Sequence, residues 1–322
     1  MKTKIDIFSG FLGAGKTFLI KKLISEGTYG ESIAIIENEF GEVSIDALIL
    51  RDSNIKVKEI NSGCICCEVT GDFREAVIEV INKYNPIRII IEPSGVAKLT
   101  DIIKIFKESK LKDKVEVDNI ITVIDPEKFD IYYRNFKDFY EDQIINTKKI
   151  VLSRSQNLKK DSLEDILSKI KKINKRAVII SHDWKNLKGI DILNNIELNS
   201  VNINEYKGIK PRLKNVETSK AKDVFESFAI YPSCKFSKLE LISKFKFISS
   251  SRSFGDVLRA KGVVELKDKT FGQFDFVKDE FEIRKINNNI SSVISFIGVN
   301  LNRKEIEKLF LWENKWKLNL KL

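Results

Sequence analysis

The stretch GFLGAGKT, from Gly10 to Thr17, restricts this chain more than any other. It follows the apolar run IDIF (5–8) and precedes a helical segment over 16–26. The spacing G-x-x-x-x-G-K-T has a physical origin. Gly10, Gly13 and Gly15, with the small Ala14 between them, let backbone N–H groups turn inward around phosphate oxygens. The following helix points its N-terminus at the same anion. Lys16 is placed to reach the β- and γ-phosphates of a nucleotide, and the Thr17 hydroxyl to bind Mg²⁺. Phe18 continues the helix beside them. The pattern predicts a phosphate-binding loop held between a buried strand and a helix.

The rest of the first half agrees with such a unit. The runs IAII (33–36), IRIII (87–91), NIITVI (119–124), KIVL (149–152) and AVII (177–180) are nearly continuous in Val and Ile. Strands covered on both faces must read this way. Helices are expected over 72–83, 98–109, 134–146 and 159–173. The alternation predicts the α/β fold of a P-loop NTPase, with a mainly parallel, doubly wound sheet. Right-handed crossovers then align the loops that follow the strands along one edge, where ligands bind. A polar stretch containing Gly208 and Pro211 separates this half from a different pattern. FESFAIY (225–231), RAKGVVEL, FGQFDFV, EFEIRKI and SVISFIGV read as strands, the last four antiparallel, with helices at SKLELISKF (237–245) and KEIEKLFLW. We therefore expect a nucleotide-binding domain over 1–200, a linker over 201–220 and a smaller α+β domain over 221–322.

Composition removes other classes. The 322 residues are 43% hydrophobic and 32% charged, a soluble globular balance. MKTKIDIFSG holds no apolar stretch long enough for a signal peptide or membrane span, so a cytoplasmic location and no membrane partner are expected. The net charge of +10 comes from lysines scattered along the chain. No stripe alternates Arg with aromatics, so nucleic acid is not an expected partner.

Three further segments carry chemistry. IRIII runs into Glu92 of EPSG, which puts a carboxylate at the tip of a buried strand, positioned to hold Mg²⁺ directly or through water. Gly95 in the same turn lets a backbone N–H meet the γ-phosphate. After IAII, the loop IENEFGE (36–42) holds Glu37 and Glu42. It is either a solvated loop or a switch that senses γ-phosphate and Mg²⁺. Three of the four cysteines, Cys64, Cys66 and Cys67, fall between the strand KVKEIN (56–61) and a helix start near 70–72. Thiols near a helix N-terminus have depressed pKa values, which favours thiolate and metal binding. Buried structural thiols or a redox pair are the plainer alternatives. Thiols so close in sequence do not readily close a tetrahedral site, so Glu37 or Glu42 is expected to complete it. Cys234 reads as a core residue, and His182, the single histidine, as a surface or packing residue.

GFLGAGKT, IENEFGEVSID, GCICC and EPSG, in this order, resemble the CobW-type family of P-loop GTPases, grouped with HypB and UreG. The resemblance continues through VIDPEKF (123–129), and VLRAKGVVEL (257–266) looks like the core of the CobW C-terminal domain. It implies GTP and GDP binding, slow Mg²⁺-dependent hydrolysis, and a site for Zn²⁺ or another transition metal at CxCC. Members act as metallochaperones or cofactor-maturation factors, which implies a client metalloprotein. Carried over, Lys16, Thr17 and Glu92 form the catalytic set, and Thr17 and Glu92 hold Mg²⁺. Cys64, Cys66 and Cys67 form the metal motif, with Glu37 and Glu42 as further ligands. The family's guanine-reading Asn-Lys-x-Asp is replaced by SRSQ, so Ser153, Arg154 and Gln156 take its place. Gln156 accepts one bond through its amide oxygen but adds no charge, which weakens the preference for GTP over ATP. SHDW fills the place of the loop that touches the base, bringing Ser181 and His182 near the purine. The alternative is a regulatory nucleotide switch that binds a partner enzyme, with a structural metal and no metal delivery.

Overall fold

The computed structural model describes residues 2–30, 32–38, 56–60, 69–107, 109–194, 221–278, 280–286 and 291–311. The Val- and Ile-rich runs of the first half form β1 (Thr3–Ser9), β2 (Ile33–Asn38), β3 (Lys56–Ile60), β4 (Arg88–Glu92), β5 (Val115–Ile124), β6 (Lys149–Leu152) and β7 (Val178–Ile180). They make one seven-stranded sheet in the order β3-β2-β4-β1-β5-β6-β7, and every pairing is parallel. Helices α1 (Lys16–Ser25), α2 (Val69–Tyr84), α3 (Leu99–Lys107), α4 (Phe129–Asn135), α5 (Lys137–Ile145) and α6 (Lys160–Ile173) connect them.

The strand period of two sorts the apolar residues onto the two faces. Ile5, Ile7, Ile36, Ile89 and Ile91 pack with Phe73 and Val77 of α2 and Ile102 and Phe106 of α3. Phe8, Ile35, Ile90, Ile121 and Val123 pack on the other face with Leu19, Ile20 and Leu23 of α1 and with Trp184. Both faces of β1 and β4 are therefore covered, which explains their unbroken apolar sequence. The phosphate-loop strand β1 lies centrally, between β4 and β5.

The expected single helix over 134–146 is two helices, α4 and α5, broken at Phe136 with φ −133° and ψ 39°. Aromatic packing surrounds the break. Phe11 of the phosphate loop lies 4.6 Å from the Tyr132 ring, 5.4 Å from Phe136 and 5.8 Å from Tyr140. Spaced four residues apart, these rings lie along one face on both sides of the break and pack against Phe11.

The chain divides into two compact units, one ending at Asp223 and one beginning at Val224. The expected linker over 201–220 lies outside the described residues. The second unit contains β8 (Glu226–Ile230), β9 (Asp256–Glu265), β10 (Phe271–Val277), β11 (Glu280–Ile286) and β12 (Val293–Val299), an antiparallel sheet ordered β11-β10-β9-β12-β8. Helices α7 (Lys238–Ser250) and α8 (Arg303–Leu311) pack with it around a phenylalanine core. Ser237 and Glu240 form a capping box that starts α7. Cys234 is half-buried here and donates its thiol to the Phe310 carbonyl at 3.2 Å. Among the described residues, no helix is long and apolar enough to cross a membrane.

Candidate functional site

The loop after β1 turns at Gly10, where φ is +142° and a Cβ would lie 2.3 Å from the Val123 carbonyl oxygen. Only glycine fits that approach. Gly13 (φ 71°) and Gly15 (φ 98°) carry the chain into α1. Gly15 is the N-cap, and no side chain among the described residues caps the helix, so its first N–H groups face the loop's interior. Lys16 is 5% exposed, and its Nζ donates to the Gly10 carbonyl at 3.0 Å and the Phe11 carbonyl at 3.4 Å. The ammonium is thus folded into the cradle that the glycines make. The Phe11 ring, set among the aromatics of α4 and α5, anchors the loop from behind.

Thr17 Oγ1 donates to Glu92 Oε1 at 2.9 Å, which joins the first turn of α1 to the tip of β4. A hydroxyl and a carboxylate meeting beside a phosphate cradle are hard oxygen donors, the set that suits Mg²⁺. Glu92 pairs in register with Glu37 at the end of β2, and both are buried. The EPSG turn closes on the same place. A Cβ at Gly95 would lie 2.7 Å from the Leu12 nitrogen, so the Gly95 backbone abuts the phosphate loop. Gln143 of α5 donates from Nε2 to the Gly95 carbonyl at 3.1 Å and the Ala97 carbonyl at 3.0 Å. The segment from Gln143 is part of the family resemblance, but the sequence assigns this amide no role in the site.

On the other side of β1, the turn after β6 meets the loop. A Cβ at Gly15 would lie 3.7 Å from Ser153 Cβ. Arg154 adopts φ 54°, donates to the Gly13 carbonyl at 3.3 Å and pairs with the Asp125 carboxylate. Asp125, 4% exposed at the end of β5, also accepts from the Glu127 amide at 3.0 Å. Asp125 lies within the VIDPEKF stretch of the resemblance, but sequence reasoning gave it no role in the site. Gln156 is exposed, as is Phe18 at 56%. Ser181 and His182 follow β7, three strands from β1 in the sheet order. The structure thus gathers Lys16, Thr17, Glu92, Gly95, Ser153 and Arg154 around one loop. Cys64, Cys66, Cys67 and Glu42 lie outside the described residues, and α2 begins at Val69 just beyond the cysteines. Among the described residues, no three His, Cys, Asp or Glu side chains are grouped to hold a metal ion.

Comparison with known proteins agrees with this geometry. Residues 4–181 match the model of the CobW/HypB/UreG nucleotide-binding domain, and residues 225–311 match the cobalamin synthesis protein cobW C-terminal domain. The chain is 29% identical over 200 residues to the zinc chaperone CobW of Pseudomonas aeruginosa, covering 52% of this chain and 53% of that one. It is 32% identical over 165 residues to the zinc chaperone YjiA of Escherichia coli, covering 48% and 52%. A zinc-regulated GTPase metalloprotein activator of Dictyostelium discoideum is 24% identical over 298 residues, 81% of this chain and 62% of that one. The matches to the two bacterial chaperones thus span about half of their length. The crystal structure of Zn(II)-bound YjiA GTPase from E. coli aligns over 96% of this chain and 98% of that one, with 20% identity and a TM-score of 0.44. With a phosphate loop closed by Thr17 and Glu92 and both domain models matched in order, the chain belongs to the CobW/HypB/UreG family of nucleotide-binding proteins.

Proposed function

We propose that this protein is a GTP-hydrolysing metallochaperone that carries Zn²⁺ or a similar metal as cargo and releases it to a client metalloprotein. The observation that carries the proposal is the register of β2 on β4. Glu37, a candidate cargo ligand, and Glu92, a candidate Mg²⁺ ligand, are direct neighbours. The names of the relatives, zinc chaperones and a GTPase metalloprotein activator, support the cargo and the nucleotide. Glu37, Glu42, Cys64, Cys66 and Cys67 are the proposed cargo ligands.

The chain's own groups supply the rest. The N–H groups at the start of α1 surround the phosphates. Lys16 exchanges its bonds to the Gly10 and Phe11 carbonyls for bonds to the β- and γ-phosphate oxygens. Thr17 and Glu92 would hold Mg²⁺, which would neutralise charge on those oxygens. The Gly95 N–H faces the γ-phosphate. Ser153 and Arg154 border the loop on the side proposed for the purine. Water attacks the γ-phosphorus, the bond from that phosphorus to the bridging oxygen breaks, and GDP and phosphate leave. Loss of the γ-phosphate changes what Glu92 and Gly95 bind, and Glu37 lies one strand away.

Zinc affinity of the purified protein tests the coupling. We expect a difference of about 5–150-fold between the GDP-bound protein and the protein with a non-hydrolysable GTP analogue. Glu37→Ala should reduce that difference toward unity. Equal zinc affinities in the two nucleotide states would sink the proposal.

A further inference from the structure

We infer that Gln143 is a positioning residue for the hydrolysis, acting through the turn that carries Gly95 without touching the nucleotide. It rests on the proposed function, since it assigns Gln143 to the γ-phosphate side of that site. Gln143 is 1% exposed on α5. Its Nε2 clamps two carbonyls of one turn, those of Gly95 and Ala97, at 3.1 and 3.0 Å. Its own backbone carbonyl accepts from Thr122 Oγ1 at 2.9 Å, and Thr122 pairs in register with Ser9, the last residue before the phosphate loop. One residue therefore ties the turn to the strand that sets the loop's position.

The same helix also holds the start of α3, just after the turn. Asp142 accepts from the Thr100 amide at 3.1 Å, and Asn146 donates to Thr100 Oγ1 at 2.8 Å. Gly95, Ala97 and Thr100 are thus all held from α5, while Gly95 presses on the Leu12 nitrogen. The Gly95 N–H shares its peptide plane with the Ser94 carbonyl, which accepts from the Ala97 amide at 3.0 Å, so clamping the Gly95 and Ala97 carbonyls holds the frame in which that N–H points. A glutamine here carries a cost as well as two bonds. Its Oε1 is buried with no hydrogen-bond partner among the described residues. Leaving a buried acceptor unmatched costs about 1–3 kcal/mol, which an aliphatic side chain of similar size avoids. The two donated bonds are what a leucine cannot supply.

The test uses the full chain with Gln143→Leu and Gln143→Glu. It compares kcat and KM for GTP and the affinities for GDP and a non-hydrolysable GTP analogue. Gln143→Leu is expected to lower kcat about 10–100-fold, as a misplaced group near the reacting centre does. It should leave GDP affinity within about twofold and bring the analogue-to-GDP affinity ratio toward unity. The Gln143→Glu side chain donates one bond only when protonated, and burial favours that form. Its kcat relative to wild type should therefore rise as pH falls from about 8 to about 6, whereas that of Gln143→Leu should not. Gln143 loses this role if either variant keeps the wild-type kcat and affinity ratio across that range. It also loses it if both variants lose GDP and analogue binding in parallel, as a mere packing residue would. A wild type that binds both nucleotides without turnover sinks the proposed hydrolysis instead, and the affinity ratio then decides Gln143 by the same outcomes.

Discussion

The ion pair inside the parallel sheet permits a quantitative test of what holds β1 in place. Asp6 is fully buried in β1, between β4 and β5. Its Oδ1 accepts from Arg88 at 2.6 Å and from Asn119 Nδ2 at 2.9 Å. Arg88 also reaches Asp118 at 2.9 Å and lies 5.5 Å from the centre of the Tyr29 ring. Arg88→Met keeps an apolar stem of similar reach and removes the charge, so Asp6 keeps only neutral partners, Asn119 and the Tyr29 hydroxyl. Breaking a buried pair from one side costs about 3–5 kcal/mol. The Arg88 side chain is 17% exposed, so water already screens part of it, which puts the expected loss near the lower end, about 3 kcal/mol. With a urea slope of about 2 kcal/mol per molar, the unfolding midpoint of this unit falls by about 1.5 M.

The loss should depend on pH, and its sign comes from the direction of the Asp6 shift. Burial raises the Asp6 carboxyl above its ordinary value, against the opposing pull of Arg88 and Asn119. Stability from a carboxyl raised on folding is fully present below the unfolded value, and it is lost as pH rises through the folded one. Removing Arg88 removes the largest opposing influence, so the folded value climbs further. The deficit of Arg88→Met should therefore shrink between about pH 7 and pH 5. Urea titrations of the full chain at both pH values, followed by circular dichroism, measure it. The double variant with Asp6→Asn should recover at least half of the loss. A deficit under about 1 kcal/mol at pH 7, or one that is equal at both pH values, would mean that the pair behaves as a solvated surface bridge.

Two other perturbations test the site and the second unit. Thr17→Val removes the hydroxyl that meets Glu92 at 2.9 Å and should raise the Mg²⁺ concentration for half-maximal phosphate release about tenfold. An unchanged Mg²⁺ titration would exclude Thr17 as a ligand. Phe245, 1% exposed, has its ring within 4.6 Å of Phe276 and 5.3 Å of Phe310. Phe245→Ala should cost about 3–5 kcal/mol in urea unfolding of the second unit, and a loss under about 1.5 kcal/mol would show that the core collapses around the gap.

The sequence reveals what is encoded locally. Glycines at fixed spacing, a strand before them and a helix after them are contained within Thr3–Ser25, so Lys16 and Thr17 are legible without any tertiary knowledge. The continuous Val and Ile of β1, β4 and β5 likewise announce burial on both faces. The bend at Phe136 is not legible because apolar spacing along the segment allows one helix. At the break, Phe136 stacks on the distant Phe11 ring, a contact no local pattern announces. Arg154 on Asp125 and Gln143 on Gly95 join positions 29 and 48 residues apart, so no local pattern reveals them. The place of Gln156 in SRSQ suggests a contact with the base. Gln156 is exposed, and two residues before it Arg154 reaches the Gly13 carbonyl, a contact that the spacing of SRSQ does not announce.

The neighbouring glutamates also set the size of coupling that the sheet alone can carry. Adjacent parallel strands lie about 4.8 Å apart, so the ends of β2 and β4 hold Glu37 and Glu92 in one electrostatic environment. Two like charges about 5 Å apart repel by about 3 kcal/mol at an effective dielectric of 20. On the proposed function, where Glu92 holds Mg²⁺, charge added or removed there would be felt at Glu37 on that scale if the carboxylates keep the spacing of their strands. A free energy of about 3 kcal/mol corresponds to about a hundredfold in affinity, near the top of the usual range for linked sites. Register alone is therefore sufficient for substantial coupling, with no long chain of moving parts. A zinc affinity ratio between nucleotide states far above a hundredfold would exceed what the two carboxylates can transmit. It would require the Gly95 turn, held by Gln143, to move as well.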